Sequence, residues 1–310
     1  MYLTFIVFLT VVFSNLLPST PSSNRKLVFL RGTDVVTANG DGSGERVLVH
    51  DNLPKSAPVW SPDGAFVAYA VSQDAANKPG NPLGDIVVLA TDDGVKHTVP
   101  VATEQPDGTM IDGMRFIEHA GWYSNTAVFA SGSANPRVSE YRIMDINTGK
   151  VIGGYLGNDF ATCAVKSLVA YISDEDTGSG APRIDLNGKA VYSGAAKSSI
   201  REIHWSIDCQ RLAFLEEEEP TMKLVVLNGN EVEAKIPVPS KDSSSATIAT
   251  AGTSFLVMHD SVTGLYQPST KTLESDPAKL LDWRTKLASQ AAVIERLHAE
   301  KPDWWQGPTD

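Results

Sequence analysis

Two histidines stand beside carboxylates in a way that suits acid–base chemistry. His204 precedes Trp205 in a short apolar segment and is followed by Asp208, while His119 follows Glu118 in a similar segment. A histidine beside a carboxylate is a common general acid–base pair, because its ordinary pKa lies near neutral pH. If both segments line one channel, these residues would support hydrolase or lyase chemistry. The competing interpretation is that each histidine has a structural role.

A second set of candidates consists of charged residues predicted to lie in loops on one face of the fold. They are Asp174, Glu175 and Asp176 in SDEDTGSGAP, Glu216 and Glu217 in EEEEP, and the basic residues Arg137 and Arg183. Calcium requires several oxygen ligands, which Asp174 and Asp176 could supply together with backbone carbonyls. Two alternatives remain open: a docking face for a basic protein segment, and a solvated acidic surface.

Several function classes are excluded by what the sequence lacks. It contains no G-x-S-x-G nucleophile motif, no G-x-x-x-x-G-K-[ST] phosphate loop and no G-x-G-x-x-G that opens a helix. No cysteine–histidine spacing indicates a zinc site. The net charge of −11 and the pI near 5.0 argue against nucleic acid as a partner. No cofactor is therefore expected apart from calcium in the acidic loop.

A repeated unit must position all of these candidates. Its clearest copy is Ala57–Tyr69, APVWSPDGAFVAY, in which a short strand, a Pro-Asp-Gly turn and a second strand form a β-hairpin. A second copy is His204–Phe214, and weaker copies occur around Trp122 and Cys163. The copies recur about every forty residues, with one longer step, which is the signature of a β-propeller. Six registers predict an all-β, six-bladed β-propeller.

The WSPDG turn followed by the apolar strand FVAY, and the segments IVVLATDDG and VVTANGDGSGERVLV, resemble the repeat of TolB-like propellers. The propeller domains of the prolyl oligopeptidase family carry the same repeat, and the resemblance covers roughly residues 25–275. It implies an exported, non-catalytic propeller that binds a protein or cell-envelope component through an acidic loop face. The alternative is a secreted propeller hydrolase or lyase that acts on carbohydrate or ester substrates and uses calcium.

The N-terminal segment predicts export. Tyr2–Leu17 is an apolar run that is shorter than a membrane-spanning helix, and a polar spacer follows it, as in a signal peptide. The alternatives are a buried first strand of the propeller and an uncleaved anchor, which would be the protein's contact with a membrane. We expect residues 1–24 to be the signal peptide or anchor, and a periplasmic or secreted location.

The C-terminal region changes from the strand period to a helical one. Asp276 and Pro277 form a helix start, and apolar residues then recur at steps of three and four as far as Glu300. The sequence thus predicts a propeller over residues 25–275, and an amphipathic helix with an aromatic tail over residues 276–310. Either Leu17–Ser22 or this tail is expected to supply the first strand of the first blade.

The two cysteines occupy non-equivalent positions in the repeat. Cys163 lies in the register of Trp60, within a strand, whereas Cys209 lies in the turn of the next unit. Buried cysteine often behaves as a small apolar residue, so two free thiols are favoured. The alternative is a disulfide formed in an oxidising compartment.

Overall fold

The computed structural model describes residues 15–16, 25–72, 84–91, 94, 96–101, 103–104, 110–111, 117, 119–135, 138–173, 180–238, 246–259 and 261–305. These residues form strands almost throughout, with one α-helix near the C-terminus. None of the described helical residues forms a segment long and apolar enough to span a membrane.

The strands follow one another along the chain with short connections. The first thirteen are β1 (Asn15–Leu16), β2 (Lys26–Arg31), β3 (Asp34–Asn39), β4 (Arg46–Val49), β5 (Val59–Trp60), β6 (Phe66–Ser72), β7 (Gly84–Ala90), β8 (Lys96–Pro100), β9 (Thr103–Glu104), β10 (Met110–Ile111), β11 (His119–Ser124), β12 (Ala127–Asn135) and β13 (Val138–Asp145). The remaining elements are β14 (Val151–Cys163), β15 (Leu168–Ser173), β16 (Arg183–Leu186), β17 (Lys189–Ser193), β18 (Ser199–Trp205), β19 (Arg211–Glu218), β20 (Thr221–Asn228), β21 (Glu231–Pro237), β22 (Thr247–Ala251), β23 (Ser254–His259), β24 (Ser261–Gln267), β25 (Thr272–Glu274), α1 (Leu281–Leu297) and β26 (Glu300–Trp305).

Three of the sheets formed by the described residues are antiparallel meanders of four strands. The sheets are β26-β2-β3-β4, β5-β6-β7-β8, the seven-stranded β11 to β17, β18-β19-β20-β21, β1-β22-β23-β24-β25, and the small pair β9-β10. The pair β1 and β22 is parallel, whereas pairs such as β2 and β3, β6 and β7, and β19 and β20 are antiparallel. A four-stranded antiparallel meander is the unit from which propeller blades are built.

The chain divides into two compact units. The first unit comprises residues 21–158, 164–167 and 293–310, and the second comprises residues 1–20, 159–163 and 168–292. In the first unit Val28, Tyr69 and Leu89 belong to one buried cluster. In the second unit Phe214 and Val225 belong to another. Burying each such side chain stabilises a fold by about 1.5–3 kcal/mol, so each unit has an apolar core of its own.

The WSPDG motif forms the predicted turn through its side chains. The Ser61 hydroxyl donates to the Asp63 carboxylate at 2.6 Å and accepts from the Phe66 amide at 2.9 Å. The same carboxylate accepts from the Ala65 amide at 3.1 Å. Gly64 has φ +70° and donates its amide to the Ser61 carbonyl at 2.9 Å. The serine and aspartate of the motif therefore close the hairpin, and glycine suits its left-handed position.

The second copy of the motif has the same hydrogen bonds. Ser206 Oγ donates to Asp208 at 2.6 Å and accepts from the Arg211 amide at 2.9 Å. Asp208 also accepts from the Gln210 amide at 3.1 Å. Cys209 takes the place of the glycine, with φ +53°. The two copies of the repeat therefore share the same side-chain hydrogen bonds in their turns, which confirms the internal repeat.

Two tryptophans of the repeat form hydrogen bonds between strands of different sheets. In the first unit the Trp122 indole donates to the Val59 carbonyl at 3.1 Å, and in the second unit the Trp205 indole donates to the Ala161 carbonyl at 3.0 Å. A buried indole N–H needs an acceptor. Trp122 and Trp205 meet this requirement, whereas the buried indole N–H of Trp60 has no hydrogen-bond partner among the described residues.

The C-terminal tail supplies the first strand of the first sheet. In the antiparallel ladder between β26 and β2, Asp303 lies opposite Val28, and the Asp303 carboxylate accepts the Trp60 amide at 2.8 Å. Of the two alternatives for this strand, the tail is therefore the observed one. Asn15 and Leu16 pair with the last sheet instead.

Helix α1 begins later and ends earlier than the predicted segment. Asp276 accepts the Ala278 amide at 2.9 Å, so it caps a turn that precedes the helix at Leu281. The helix ends at Leu297, whose carbonyl accepts from the Arg31 guanidinium at 2.9 Å. A cation at the C-terminus of a helix complements the helix dipole. The predicted end near Glu300 was wrong, because that residue already begins β26.

Candidate functional site

Two carboxylates and a histidine come together in the second unit. Asp159 lies in the last part of β14, while Glu202 and His204 lie on β18. His204 Nε2 is 3.5 Å from Glu202 Oε2, and Asp159 interacts electrostatically with both residues. We refer to Asp159, Glu202 and His204 as the acidic cluster.

The backbone at the acidic cluster departs from regular strand geometry. Asp159 has φ +50° and Glu202 has φ +58°, a left-handed region that residues other than glycine seldom adopt. The ladder between β18 and β19 shifts register between Arg201 and His204, so Glu202 lies in a bulge. Bulges of this kind redirect side chains, and strained residues concentrate at functional sites. The two outliers therefore point to this cluster as a candidate site.

The environment of Glu202 favours its ionised form. Burial acts to raise the pKa of this carboxyl, but the hydrogen bond and charge of His204 oppose burial. The Ile248 amide donates to Glu202 Oε2 at 3.4 Å. This hydrogen bond and the charge of Arg201 also oppose the effect of burial on the pKa. The net effect lowers the pKa of Glu202, so this side chain remains a carboxylate over a wide pH range.

The environment of Asp159 has the opposite effect. This residue is exposed to solvent, yet the protein around its carboxyl removes enough water to raise the pKa, and repulsion from Glu202 raises it further. The charge of His204 acts in the other direction and is the smaller influence. Asp159 is thus an accessible carboxyl that a nearby positive charge would stabilise in its ionised form.

Three contacts hold the strands that carry the acidic cluster. The Trp205 indole bonds to Ala161, as described above, and the Trp205 carbonyl accepts from the Thr250 hydroxyl at 2.7 Å. Cys163 and Cys209 form a disulfide with a Cα–Cα distance of 6.0 Å. The expectation of two free thiols was wrong, because the turn that contains Cys209 lies against the end of β14.

The residues first predicted to be catalytic differ in their surroundings. His204 belongs to the acidic cluster. Asp208 forms the turn, where its carboxylate is engaged by Ser206 and Gln210, so we correct its role to a structural one. His119 is an exposed residue on β11 and belongs to the first unit. Glu118 lies outside the described residues.

The predicted acidic binding face is only partly described. Asp174, Glu175, Asp176 and Arg137 lie outside the described residues, so their binding role and the calcium site on Asp174 and Asp176 stay predictions. Glu217 is half-buried and pairs with Arg201 at 4.0 Å.

The remaining members of the predicted face have internal contacts. Arg183 donates to both carboxylate oxygens of Asp185, at 2.7 and 2.8 Å. Glu216 is only 1 % exposed and accepts the Tyr192 hydroxyl at 2.8 Å and the Ala195 amide at 3.0 Å. Its placement on an exposed rim was wrong, because β19 continues to Glu218 and turns Glu216 inward.

Sequence reasoning missed Asp159 and Glu202, although each carried a signal. Glu202 and His204 are two residues apart, a spacing that in a regular strand predicts a shared face. The register that aligns Cys163 with Trp205 also places Asp159 close to the position equivalent to Glu202. What the repeat did not reveal was the left-handed backbone at both carboxylates.

The acidic cluster is able to attract a cation or to exchange protons with a ligand. It is not a metal centre by geometry, since among the described residues no group of three or more His, Cys, Asp or Glu side chains could hold a metal ion. Its two carboxyls have pKa values displaced in opposite directions, an arrangement that also suits acid–base chemistry.

Comparison with known proteins identifies the fold. No protein-family model matches the sequence, and no curated protein is significantly similar to it. The structure is similar to an oligogalacturonate lyase in complex with manganese (TM-score 0.51, 13 % identity, covering 78 % of this chain and 70 % of that chain). It is also similar to the β-propeller domain of Cps50 (Swd1) from Myceliophteria thermophila (TM-score 0.50, 11 % identity, covering 83 % and 84 %).

A third similar structure is TolB from Acinetobacter baumannii (TM-score 0.48, 16 % identity, covering 92 % of this chain and 68 % of that chain). At these identities the likeness concerns the fold alone. The chain has a β-propeller fold with one C-terminal helix, so the propeller fold that the TolB-like resemblance implies is confirmed.

Proposed function

We propose that this chain is an exported, non-catalytic β-propeller that binds a positively charged segment of a protein or cell-envelope component at the acidic cluster. The observation that carries the proposal is the adjacent carboxylate pair, of which Asp159 is exposed and Glu202 is held ionised. Repulsion between the two carboxyls costs free energy in the unbound protein. A lysine or arginine side chain placed between them would remove this cost.

The proposed partner is basic for a second reason. The chain carries 37 acidic and 26 basic residues, so its long-range field attracts cations and repels nucleic acid. Partly desolvated carboxylates bind a cation more strongly than surface carboxylates do, since the local dielectric constant is lower. The acidic cluster would therefore give specificity to an attraction that the whole molecule exerts.

The buried disulfide supports the proposal of export. Disulfides persist in oxidising compartments and are rare in the cytosol, and Cys163 and Cys209 are both buried. The signal peptide predicted from Tyr2–Leu17 stays a proposal, since Asn15 and Leu16 of this run pair with β22, as the alternative of a propeller strand predicts. From the disulfide we therefore propose a periplasmic or secreted location for the protein.

We further infer six blades for the propeller. The seven-stranded sheet divides into two meanders if β14 ends one blade and begins the next. Together with the four other large sheets this gives six, in agreement with the six registers of the repeat.

Calorimetric titration with two synthetic peptides tests the proposed function. One peptide is rich in lysine and arginine, and its control has the same length with glutamate at those positions. We expect the wild-type chain to bind the basic peptide and not the acidic one, with affinity that falls as salt is added. Equal binding of both peptides, or no binding of the basic peptide at low salt, would overturn the proposal.

The opposed pKa displacements favour a second candidate function. Glu202 is held ionised and Asp159 retains its proton to higher pH, so with His204 they could act as base and acid in a hydrolase or lyase on a carbohydrate or ester. A calcium site on Asp174 and Asp176 belongs to this candidate. Release of new reducing ends from oligogalacturonate, lost in His204→Gln, would support it.

A further inference from the structure

The outermost strands of the sheets differ in whether they carry charge. β4, β8, β17, β21 and β25 each end a sheet, and each contains a charged residue. These residues are Arg46, Lys96, Lys189, Glu231 and Glu274. Charged side chains on an edge strand prevent it from pairing with another chain. The first part of β14, VIGGYLG, contains neither a charged residue nor proline. We refer to this segment, Val151–Gly157, as the neutral edge.

The neutral edge lies at the border of its part of the sheet. On one side it pairs with β13, with Met144 opposite Val151 and Ser139 opposite Gly157. The other neighbour of β14 is β15, which has six residues and follows Cys163 after a four-residue turn. β15 therefore runs beside the last part of β14 only. Since no further described strand is a neighbour of β14, the neutral edge is open to an added strand.

The neutral edge also presents large apolar side chains to solvent. Ile152 and Leu156 are each 59 % exposed. Exposure alternates along the segment, because Gly154 is exposed while Gly153 and Tyr155 are half-buried. The ladder with β13 shifts register beside Ile152, at the end of the segment. Such a bulge blunts an edge, but here it leaves the rest of the neutral edge regular.

The order of residues in the neutral edge suits pairing with a second copy of itself. In an antiparallel pair with a two-fold axis at Gly154, Ile152 of each copy lies opposite Leu156 of the other. The same register places Gly153 opposite Tyr155. Apolar cross-strand pairs stabilise a sheet, and an aromatic side chain can cover a glycine of the neighbouring strand. The two-fold axis forms each of these pairs twice.

Charge and area indicate how strong such a contact would be. Each copy has a net charge of −11, so two copies repel each other least where the contacting surfaces are neutral. A strand of this length is about 23 Å long and a sheet is about 10 Å thick, so the edge offers about 230 Å² per copy. A stable interface buries about 800 Å² per partner. The contact is therefore expected to be reversible and to require a high protein concentration.

We propose that the neutral edge is a self-association surface, at which two copies of this chain pair antiparallel about a two-fold axis at Gly154. The occupant of the edge is thus a second copy of Val151–Gly157. This dimer is independent of cation binding at the acidic cluster.

Sedimentation equilibrium over a range of concentrations up to about 1 mM tests the proposal. We expect the wild-type chain to associate, and Ile152→Lys/Leu156→Lys to lower the association constant at least about tenfold, because lysines replace both apolar pairs. The matched control is Val47→Lys/Val232→Lys, which places two lysines at positions that are 50 % and 48 % exposed on β4 and β21. Both variants reduce the net negative charge equally, so a loss confined to the first reports the neutral edge.

Oxidative cross-linking tests the register. The double variant Ile152→Cys/Leu156→Cys should give a disulfide-linked dimer, whereas either single variant should not, because residues 152 and 156 lie opposite each other. Both native cysteines are already paired.

Three results would overturn the proposal. They are a wild-type chain that stays monomeric, equal losses of association in the two lysine variants, and cross-linking by a single cysteine variant alone. If the wild-type chain stays monomeric but binds a synthetic VIGGYLG peptide, and the Ile152→Lys/Leu156→Lys variant does not, the edge receives a strand from another protein instead.

Discussion

Replacing Asp159 with Asn and Glu202 with Gln together is expected to weaken basic-peptide binding by about a hundredfold. A hydrogen bond to a charged group contributes about 1.5–3 kcal/mol, and a factor of ten in affinity corresponds to about 1.4 kcal/mol. Each single substitution should therefore cost at least about tenfold. Both replacements keep the size of the side chain, so the loss reports charge rather than packing.

The control for this prediction is Asp282→Asn, which removes one negative charge from an exposed position on α1. The Asp282 side chain is 72 % exposed and pairs with Lys286. Exposed charges act weakly on a distant ligand at physiological salt. We expect its effect to be below twofold in titration calorimetry. Equal losses in this variant and in the double variant would show that net charge, and not the acidic cluster, attracts the peptide.

The same binding is expected to depend on pH with a defined sign. The pKa of Asp159 is raised, so this carboxyl takes up a proton at a higher pH than an ordinary aspartate does. Affinity should therefore fall as the pH drops through this raised value, while Glu202, with its lowered pKa, remains ionised. In the Asp159→Asn variant this fall of affinity with decreasing pH should disappear. If the cluster were catalytic, product formation would be observed instead.

Replacing Glu216 with Ala is expected to lower the free energy of unfolding by about 3 kcal/mol, because the buried Tyr192 hydroxyl and the partly buried Ala195 amide are left without this acceptor. The Tyr192 hydroxyl, the Ala195 amide and the Lys235 ammonium group all point at this carboxylate, at 2.8, 3.0 and 3.4 Å. A Cβ on Gly194 would lie 2.9 Å from Glu216 Oε1, so the chain is closely fitted around the carboxylate.

Urea unfolding checks this prediction against Glu218→Ala. The Glu218 side chain is 48 % exposed and pairs with Lys223 at the surface, so its removal should cost about 0.5 kcal/mol or less. The partners of Glu216 lower its pKa in the folded protein despite the opposing effect of burial. Its contribution is therefore complete above the unfolded pKa and is lost as the pH falls through the folded value. Equal losses in both variants would contradict the internal role of Glu216.

The hairpin turns were the most predictable part of this molecule. Serine, aspartate and glycine at fixed spacing satisfy one another's hydrogen bonds locally, so the turn at Ser61 could be deduced without knowledge of distant residues. The copy at Ser206 followed from the same chemistry, and the two together indicated the propeller. Local chemistry could not show that the tail pairs with β2, since both alternatives offered a strand.

The candidate site was less predictable because its geometry arises between segments. Glu216 was placed at a loop because EEEEP reads as polar, yet the buried acceptor position depends on Tyr192 from another sheet. Asp159 gained its role from a left-handed backbone and from the charge of Glu202. Neither the left-handed backbone nor the nearby charge of Glu202 can be deduced from the residues next to Asp159 in the sequence. His204 was predicted because histidine itself is suited to acid–base chemistry.

An NMR titration of the Asp159 carboxyl, with and without saturating basic peptide, tests the proposed binding site most directly. Without peptide the pKa should lie above that of an ordinary aspartate, since the carboxyl is desolvated and faces Glu202. With peptide it should fall, because a cation held at the cluster stabilises the carboxylate. A peptide that binds while the pKa of Asp159 stays unchanged would show that the cation binds elsewhere on the protein.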